Sequence, residues 1–266
     1  MKADKRCKEC LMRVFEGEVE LAGIKEKERV MEELRECMKM NFSLNQDPYS
    51  KLATEMERIV KKASGGRDFF KEVKREVNEK AREICSTLKV DGLGDAMKVA
   101  LAGNSLDLLH LPKEEALPTA MRALREPIEV DERRKAIARI NNAEEVIYVA
   151  DNAGEVFFDR FLVEELCKRN KEVRYVVRAS PMSNDATEED AREAGIHKFA
   201  KIEKFGGYGY KAEEEHPLII SKGHAGWVTL SEGKPENIIF IVKVKRCGII
   251  ASSLGVKPGN GVIKVV

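Results

Sequence analysis

Residues 144–155 read EEVIYVADNAGE: an apolar, β-rich run ends in two carboxylates and a carboxamide packed around Ala153-Gly154. Helical spacing begins at once in VFFDRFLVEELCKR. Two further stretches carry chemistry at similar boundaries. SPMSNDATEED follows the run VRYVVRA (173–179) and brings Asp185. KGHAGW follows PLIIS (217–221) and brings Lys222-Gly223. Asp151, Asn152 and Asp185 form an oxygen-only donor set, which suits a hard divalent cation whose shell is completed by water or substrate phosphate. Gly154 lets the backbone bend toward an anion, and the amides opening the next helix favour phosphate. Lys222 would add a cation. The spacing also fits a plainer role, with Asp151 and Asp185 capping the helices that follow; Thr187 and the acidic turn 188–190 suit that for Asp185. Acids and amides at several neighbouring strand ends favour the site.

Elements must bring these residues together. From residue 1 to about 135 the spacing is helical. Apolar positions three and four apart run through 7–40, with Gly17 and Gly23 as weak points, and through 68–88. Asp47-Pro48 is read as a cap and first turn of a helix reaching Ile59, and DGLGDAMKVALAG (91–103) as a closely packing helix. From about 143, runs apolar on both faces alternate with helical segments. The runs are 146–150, 173–179, 196–202, 217–221, 238–244 and 262–266; the helices are expected at 156–170, 187–194, 224–232 and 247–254. This is the grammar of a mostly parallel sheet covered on both sides. The expected fold is therefore α/β, a Rossmann-like three-layer α/β/α sandwich (136–266) preceded by an all-helical region (1–135). In such sheets ligands bind beyond the carboxyl ends of the strands, where DNAGE, SNDAT and KGHAGW lie.

The totals exclude several function classes. The 266 residues are 43% hydrophobic and 35% charged, with a formal net charge of +1. No global field or basic stripe recruits nucleic acid. No signal peptide opens the chain and no apolar stretch approaches the ~20 residues of a membrane span, so a cytoplasmic location is expected. Cys7-x-x-Cys10 opens a helix rather than following a strand, and with Cys37 falls short of four zinc ligands, so the cysteines read as packed helix residues. No GxGxxG follows a strand run, and no GxxxxGK[ST] or GxSxG occurs. Ala153 stands where an aspartyl-phosphate enzyme would carry its second acid. His197 and His216 read as solvent-facing, His110 as packed or at a rim, Trp227 as core or pocket wall, and KEVKREVNEKARE as a solvated helix face.

DNAGEVFFD (151–159), with DPY (47–49), GNSLD (103–107), SNDAT (183–187), SKGHAGW (221–227) and IFIVKVKRCGIIASSLGV (239–256) in that order, resembles the metal-dependent damage-control phosphatases, formerly a domain of unknown function, in a compact archaeal-type form. The likeness spans essentially the whole chain. It implies a helical region against a Rossmann-like sandwich and a Mn²⁺, Co²⁺, Ni²⁺ or Mg²⁺ ion held by Asp151, Asn152 and Asp185. It also implies hydrolysis of small phosphorylated metabolites, such as sugar phosphates or damaged phosphometabolites. By position, Asp151, Glu155 and Lys222 would be catalytic. Asn104, Gly154, Asp107 and Lys222 would line the phosphate, and Asp159 would support them. One departure is Gly226-Trp227, where the family usually has Asn-Tyr. A methyltransferase using S-adenosylmethionine and a non-catalytic metal- or nucleotide-binding module remain as alternatives; the first needs a more glycine-rich loop than DNAG.

Overall fold

The computed structural model describes residues 5–41, 49–106, 113–207, 209–213, 215–231, 236–245 and 247–266. Asp107, His110 and the Asp47-Pro48 pair lie outside these residues.

The first half is helical: α1 (Lys5–Leu21), α2 (Lys27–Asn41), α3 (Tyr49–Ala63), α4 (Lys71–Thr87), α5 (Gly92–Gly103) and α6 (Lys113–Ala123). The 7–40 periodicity resolves into two helices. The break falls at Gly23, whose φ is +60°, whereas Gly17 stays inside α1. Leu11, Phe15, Leu34, Leu52 and Met56 form a separate core joining α1, α2 and α3.

The sheet begins earlier than the change in sequence pattern. A short strand β1 (Ile128–Asp131) and helix α7 (Arg133–Asn142) precede β2 (Glu145–Val149). Then come α8 (Glu155–Lys168), β3 (Glu172–Arg178), α9 (Glu188–Glu193), β4 (Lys201–Phe205), β5 (Leu218–Lys222), α10 (Gly223–Leu230), β6 (Ile238–Lys243), α11 (Gly248–Leu254) and β7 (Gly261–Val265). The seven-stranded sheet has the order β1-β7-β6-β5-β2-β3-β4, parallel except where β6 meets β7. The expected α/β sandwich with a mostly parallel sheet is thus present.

One strand was expected in the wrong place. Of IHKFAKI (196–202), Ile196–Lys198 is a short 3-10 turn and the strand starts only at Lys201. Gly195 turns the chain with φ +80°, and the buried Ile196 anchors that turn to the core, so its apolar side chain belongs to a helix end. The edge strand β4 is half-exposed, hence its weak apolar signal.

The chain's progress along the sheet reverses at β2. β3 and β4 continue outward on one side of it, and β5, β6 and β7 on the other. One core unites α4, α5, α7 and α8 with one sheet face, through Met97, Phe158, Tyr148 and Tyr175 among others. The opposite face packs on α10 and α11. Apolar side chains of the helical half and of the sheet thus share one core.

Candidate active site at the strand ends

β2 and β5 are adjacent and parallel, so the chain leaves both at the same edge, at the switch in strand order. Crevices form there because the following connections diverge. The loop after β2 also pairs with the loop after β3. Ala186 N–H donates to the Asp151 carbonyl at 2.9 Å, Ala153 N–H to the Asn184 carbonyl at 2.8 Å, and Asn152 forms an isolated antiparallel bridge with Asp185. This two-loop ladder sets Asp151, Asn152 and Asp185 side by side. Asp185 therefore does more than open a helix: the cap of α9 is Thr187, whose reciprocal partner is Asp190.

Two glycines fix the approach. Gly154 has φ +77°, and its N–H donates to Asn78 Oδ1 at 2.7 Å; a Cβ there would lie 2.6 Å from Val77 of α4. Gly223, with φ +69°, opens α10 directly against Asp151, and a Cβ would lie 1.8 Å from Asp151 Oδ2. Only glycine allows the α10 backbone so near that carboxylate.

Below Asp151 lies a connected polar network. Asn104, just past α5, donates from Nδ2 to Asp151 Oδ2 (2.9 Å) and to both oxygens of Glu155 (3.1 and 3.0 Å). Its Oδ1 accepts from the Lys243 N–H at 2.9 Å, which ties it to β6. Asn152 Nδ2 donates to Asp151 Oδ2 (3.1 Å) and Glu155 Oε1 (2.7 Å). Lys222 Nζ reaches Glu155 Oε2 (2.9 Å) and Asp159 Oδ1 (2.6 Å). Tyr148 and Tyr175 each donate to Asp159 at 2.8 Å. The side chains of Lys222, Glu155 and Asp159 are wholly buried. Burial raises the Glu155 carboxyl above its ordinary range, opposed by Lys222. For Lys222 burial works against the charge, but Asp159 and Glu155 outweigh it and hold the ammonium well above its ordinary value. Burial, reinforced by Asp159, also keeps both phenols neutral and donating.

The expected site residues divide accordingly. Asp151, Asn152, Glu155, Asn104, Lys222 and Asp159 form one hydrogen-bonded set, with Asp185 joined to it through the backbone bridge to Asn152 and Gly154 bonded instead to Asn78. Lys222 was expected to face a phosphate. Its ammonium instead lies under Glu155, held by two carboxylates.

Arg178, Asn78 and the two tyrosines were not anticipated. Arg178, at the end of β3, is buried with Nε 3.2 Å from Asp185. Asn78 is buried within the stretch read as a solvated face, as is Lys74, which pairs with Asp190 at 3.0 Å. The available signal was spacing: Lys74 and Asn78 share a stripe with Val77 and Ala81. Trp227 is core: it packs edge-on against Phe240 and donates to Ser253. At position 226 a side chain would collide with Ser221 Oγ, which accounts for glycine there. His224 accepts the Lys245 N–H.

The donor set fits a hard cation. Asn152 spends its amide nitrogen on two carboxylates, leaving the carbonyl oxygen as the atom to offer a metal, beside the Asp151 carboxylate and across the backbone bridge from Asp185. Buried polar atoms without partners also ring the strand ends: Ser105 and Ser221 Oγ, Arg178 Nη1 and the Asn184 amide. Native proteins rarely leave such groups unpaired without a ligand or water to meet them.

Known proteins resemble the chain along nearly its whole length. Residues 3–262 match the family described as damage-control phosphatase ARMT1-like domain. A damage-control phosphatase of Archaeoglobus fulgidus is 31% identical over 295 residues, covering all of both chains. Another, from Pyrococcus horikoshii, is 31% identical over 212 residues, 73% of this chain and 74% of that one. The crystal structure of a DUF89 family protein from P. horikoshii superposes with a TM-score of 0.88 at 26% identity, covering 100% of this chain and 99% of the other. The relatives' names accord with phosphate-ester hydrolysis rather than methyl transfer. Among the described residues no helix is long and apolar enough to cross a membrane. With its two-loop ladder at the switch in strand order and this likeness along nearly its whole length, the chain belongs to the damage-control phosphatase ARMT1-like family.

Proposed function

We propose that the protein is a divalent-metal-dependent phosphatase of small phosphate esters, with the ion (Mn²⁺, Co²⁺, Ni²⁺ or Mg²⁺) held by Asp151, Asn152 and Asp185. The observation that carries this reading is the pairing of the loops after β2 and β3, which juxtaposes those three residues at the sheet's switch point. When bound, such an ion draws charge from the phosphoryl group and lowers the pKa of water.

The chain's own groups do the rest. The first turns of α8 and α10 begin at adjacent strand ends, so the positive ends of their dipoles favour the equatorial phosphoryl oxygens. Asp151 is part-exposed and is the acid placed to orient a water. Glu155 is buried and spends its oxygens on Asn104, Asn152 and Lys222, so it aligns the two amides instead. Lys222 offsets the charge of Glu155 and Asp159, which keeps the two amides aligned on Asp151.

The test is phosphate release from a panel of sugar phosphates and other small esters, using chelator-treated protein with and without each metal. The reading requires release that depends on added metal. Metal binding without turnover of any ester would favour the non-catalytic module instead.

A further inference from the structure

Two helices remote in sequence, α1 and α3, grip the loop that carries Asp185 from β3 to α9. Glu18 of α1 accepts the Ser183 hydroxyl, Lys61 of α3 donates to Ser180 Oγ at 3.0 Å, and Glu57 of α3 faces Arg178. Ser183 holds φ +46° without being glycine, a conformation that persists only where the surroundings fix it. Arg178 ends β3 and is buried. Its N–H donates to the Ala186 carbonyl at 3.0 Å, so its backbone is tied to the neighbour of Asp185. Its guanidinium makes three contacts at once: Nε lies 3.2 Å from Asp185 Oδ2, Nη2 lies 3.8 Å from Glu57 Oε2, and Cζ lies 5.1 Å from the centroid of the Phe205 ring.

We propose that Arg178 is a positioning residue: it fixes the orientation of the Asp185 carboxylate, and Glu57 of the helical half in turn fixes Arg178. The inference rests on Asp185 being a metal ligand, as in the reading above, and adds the residues that hold it.

Carboxylates that ligate metals are themselves held by hydrogen-bond donors, which set their direction. On the other side of the two-loop ladder Asp151 has such donors in Asn104 and Asn152. Arg178 does the same for Asp185. The task suits arginine rather than lysine, because a planar guanidinium can address two acids through different nitrogens while it stacks on a ring, whereas an ammonium is a point charge. Stability alone does not call for an arginine here. Replacing a buried ion pair with apolar groups is often neutral or favourable, and this guanidinium keeps Nη1 buried without a hydrogen-bond partner, which costs stability. The arrangement also links the two halves of the chain. Glu57 belongs to the helical unit of α1, α2 and α3, which has a core of its own, so the seating of that unit reaches the ligand through one side chain.

The experiment compares wild type, Arg178→Lys, Glu57→Ala and the double variant, with melting temperatures confirming the fold. Mn²⁺ affinity is measured by calorimetry, and kcat and KM for p-nitrophenyl phosphate at saturating Mn²⁺. Measurements are made at pH 8, above the value of about 7 to which burial raises the Glu57 carboxyl. Lysine keeps the charge and gives up the fork, so repulsion of the metal ion is held constant and geometry alone is tested. Arg178→Lys should weaken Mn²⁺ binding by about tenfold or more and lower kcat by a similar factor, with KM moving far less. Glu57→Ala should give a smaller loss of the same kind, about threefold, and the double variant should lose no more than Arg178→Lys alone, since both act through one guanidinium. Should Arg178→Lys fail to fold, Glu57→Ala decides by itself. Wild-type affinity and kcat in the folded variants would overturn the proposal and leave the phosphatase reading intact, as would losses that simply add in the double variant for the part given to Glu57. Absence of Mn²⁺ binding by wild type would overturn both.

Discussion

Two buried charged clusters, the floor of the site beneath Asp151 and the group of Glu18, Glu57 and Arg178 between α1, α3 and the end of β3, treat buried charge in opposite ways. In the floor, Lys222, Glu155 and Asp159 are wholly buried, and each is met by named partners: two carboxylates for the ammonium, two tyrosines and Lys222 for Asp159, two amides and Lys222 for Glu155. In the second cluster, among the described residues, Glu18 accepts the Ser183 hydroxyl, Glu57 has a guanidinium 3.8 Å away, and Arg178, stacked over Phe205, leaves Nη1 without a hydrogen-bond partner. A saturated buried network rigidifies what rests on it, whereas an unsaturated one leaves its charges poorly solvated. The difference separates a network that fixes the strand ends from a cluster whose carboxylates are poorly solvated.

The comparison breaks first at Asp159. Replacing it with alanine leaves the buried Lys222 ammonium with Glu155 alone and two buried phenols without their acceptor, and should destabilise the fold by about 3–5 kcal/mol in urea unfolding. A loss below about 1 kcal/mol would mean that the floor is not a network at all. Gly223→Ala comes next. The added methyl must displace the Asp151 carboxylate or the start of α10, so phosphate release should fall on the order of 100-fold while the melting temperature moves by only a few degrees.

The second cluster predicts a smaller effect with a defined sign. The Glu18 carboxyl sits at about 7 in the folded protein, raised from its ordinary 4.5 by burial. A raised folded-state value contributes stability that is full below about pH 4.5 and is lost as pH rises through about 7. Glu18→Gln removes that loss. Its stability relative to wild type, measured in chelator, should improve from pH 5 to pH 8 by on the order of 1–2 kcal/mol. A difference that does not change with pH would show that Glu18 stays ionised and solvated.

Much of the floor's frame was legible in the sequence, because periodicity reports which faces are buried. DNAGE at a strand-to-helix boundary, Asp185 after the next strand and Lys222 after another could be placed before any contact was known. What escaped depends on tertiary partners. β1 has four residues of alternating half-burial, too short to register. Ile196 looks like a strand residue only until Gly195 turns the chain. Lys222 reads as a phosphate contact at a strand end, yet Asp159, one turn into α8, draws it under the site. Arg178 and Asn78 resemble surface residues until the helical half closes over them. The second cluster was barely visible, because Glu18 and Glu57 lie in α1 and α3, far in sequence from every strand-end motif.

Calorimetric titration of Mn²⁺ into metal-stripped wild type and Asp151→Asn tests the central claim most directly. The wild type should bind the ion saturably. The variant, with its melting temperature retained, should bind about 100-fold more weakly or worse, since even residues that only support a metal ligand change affinity by about 10- to 100-fold. Identical titrations for the two proteins, or no binding by either, would contradict the assignment of the strand-end carboxylates to a metal.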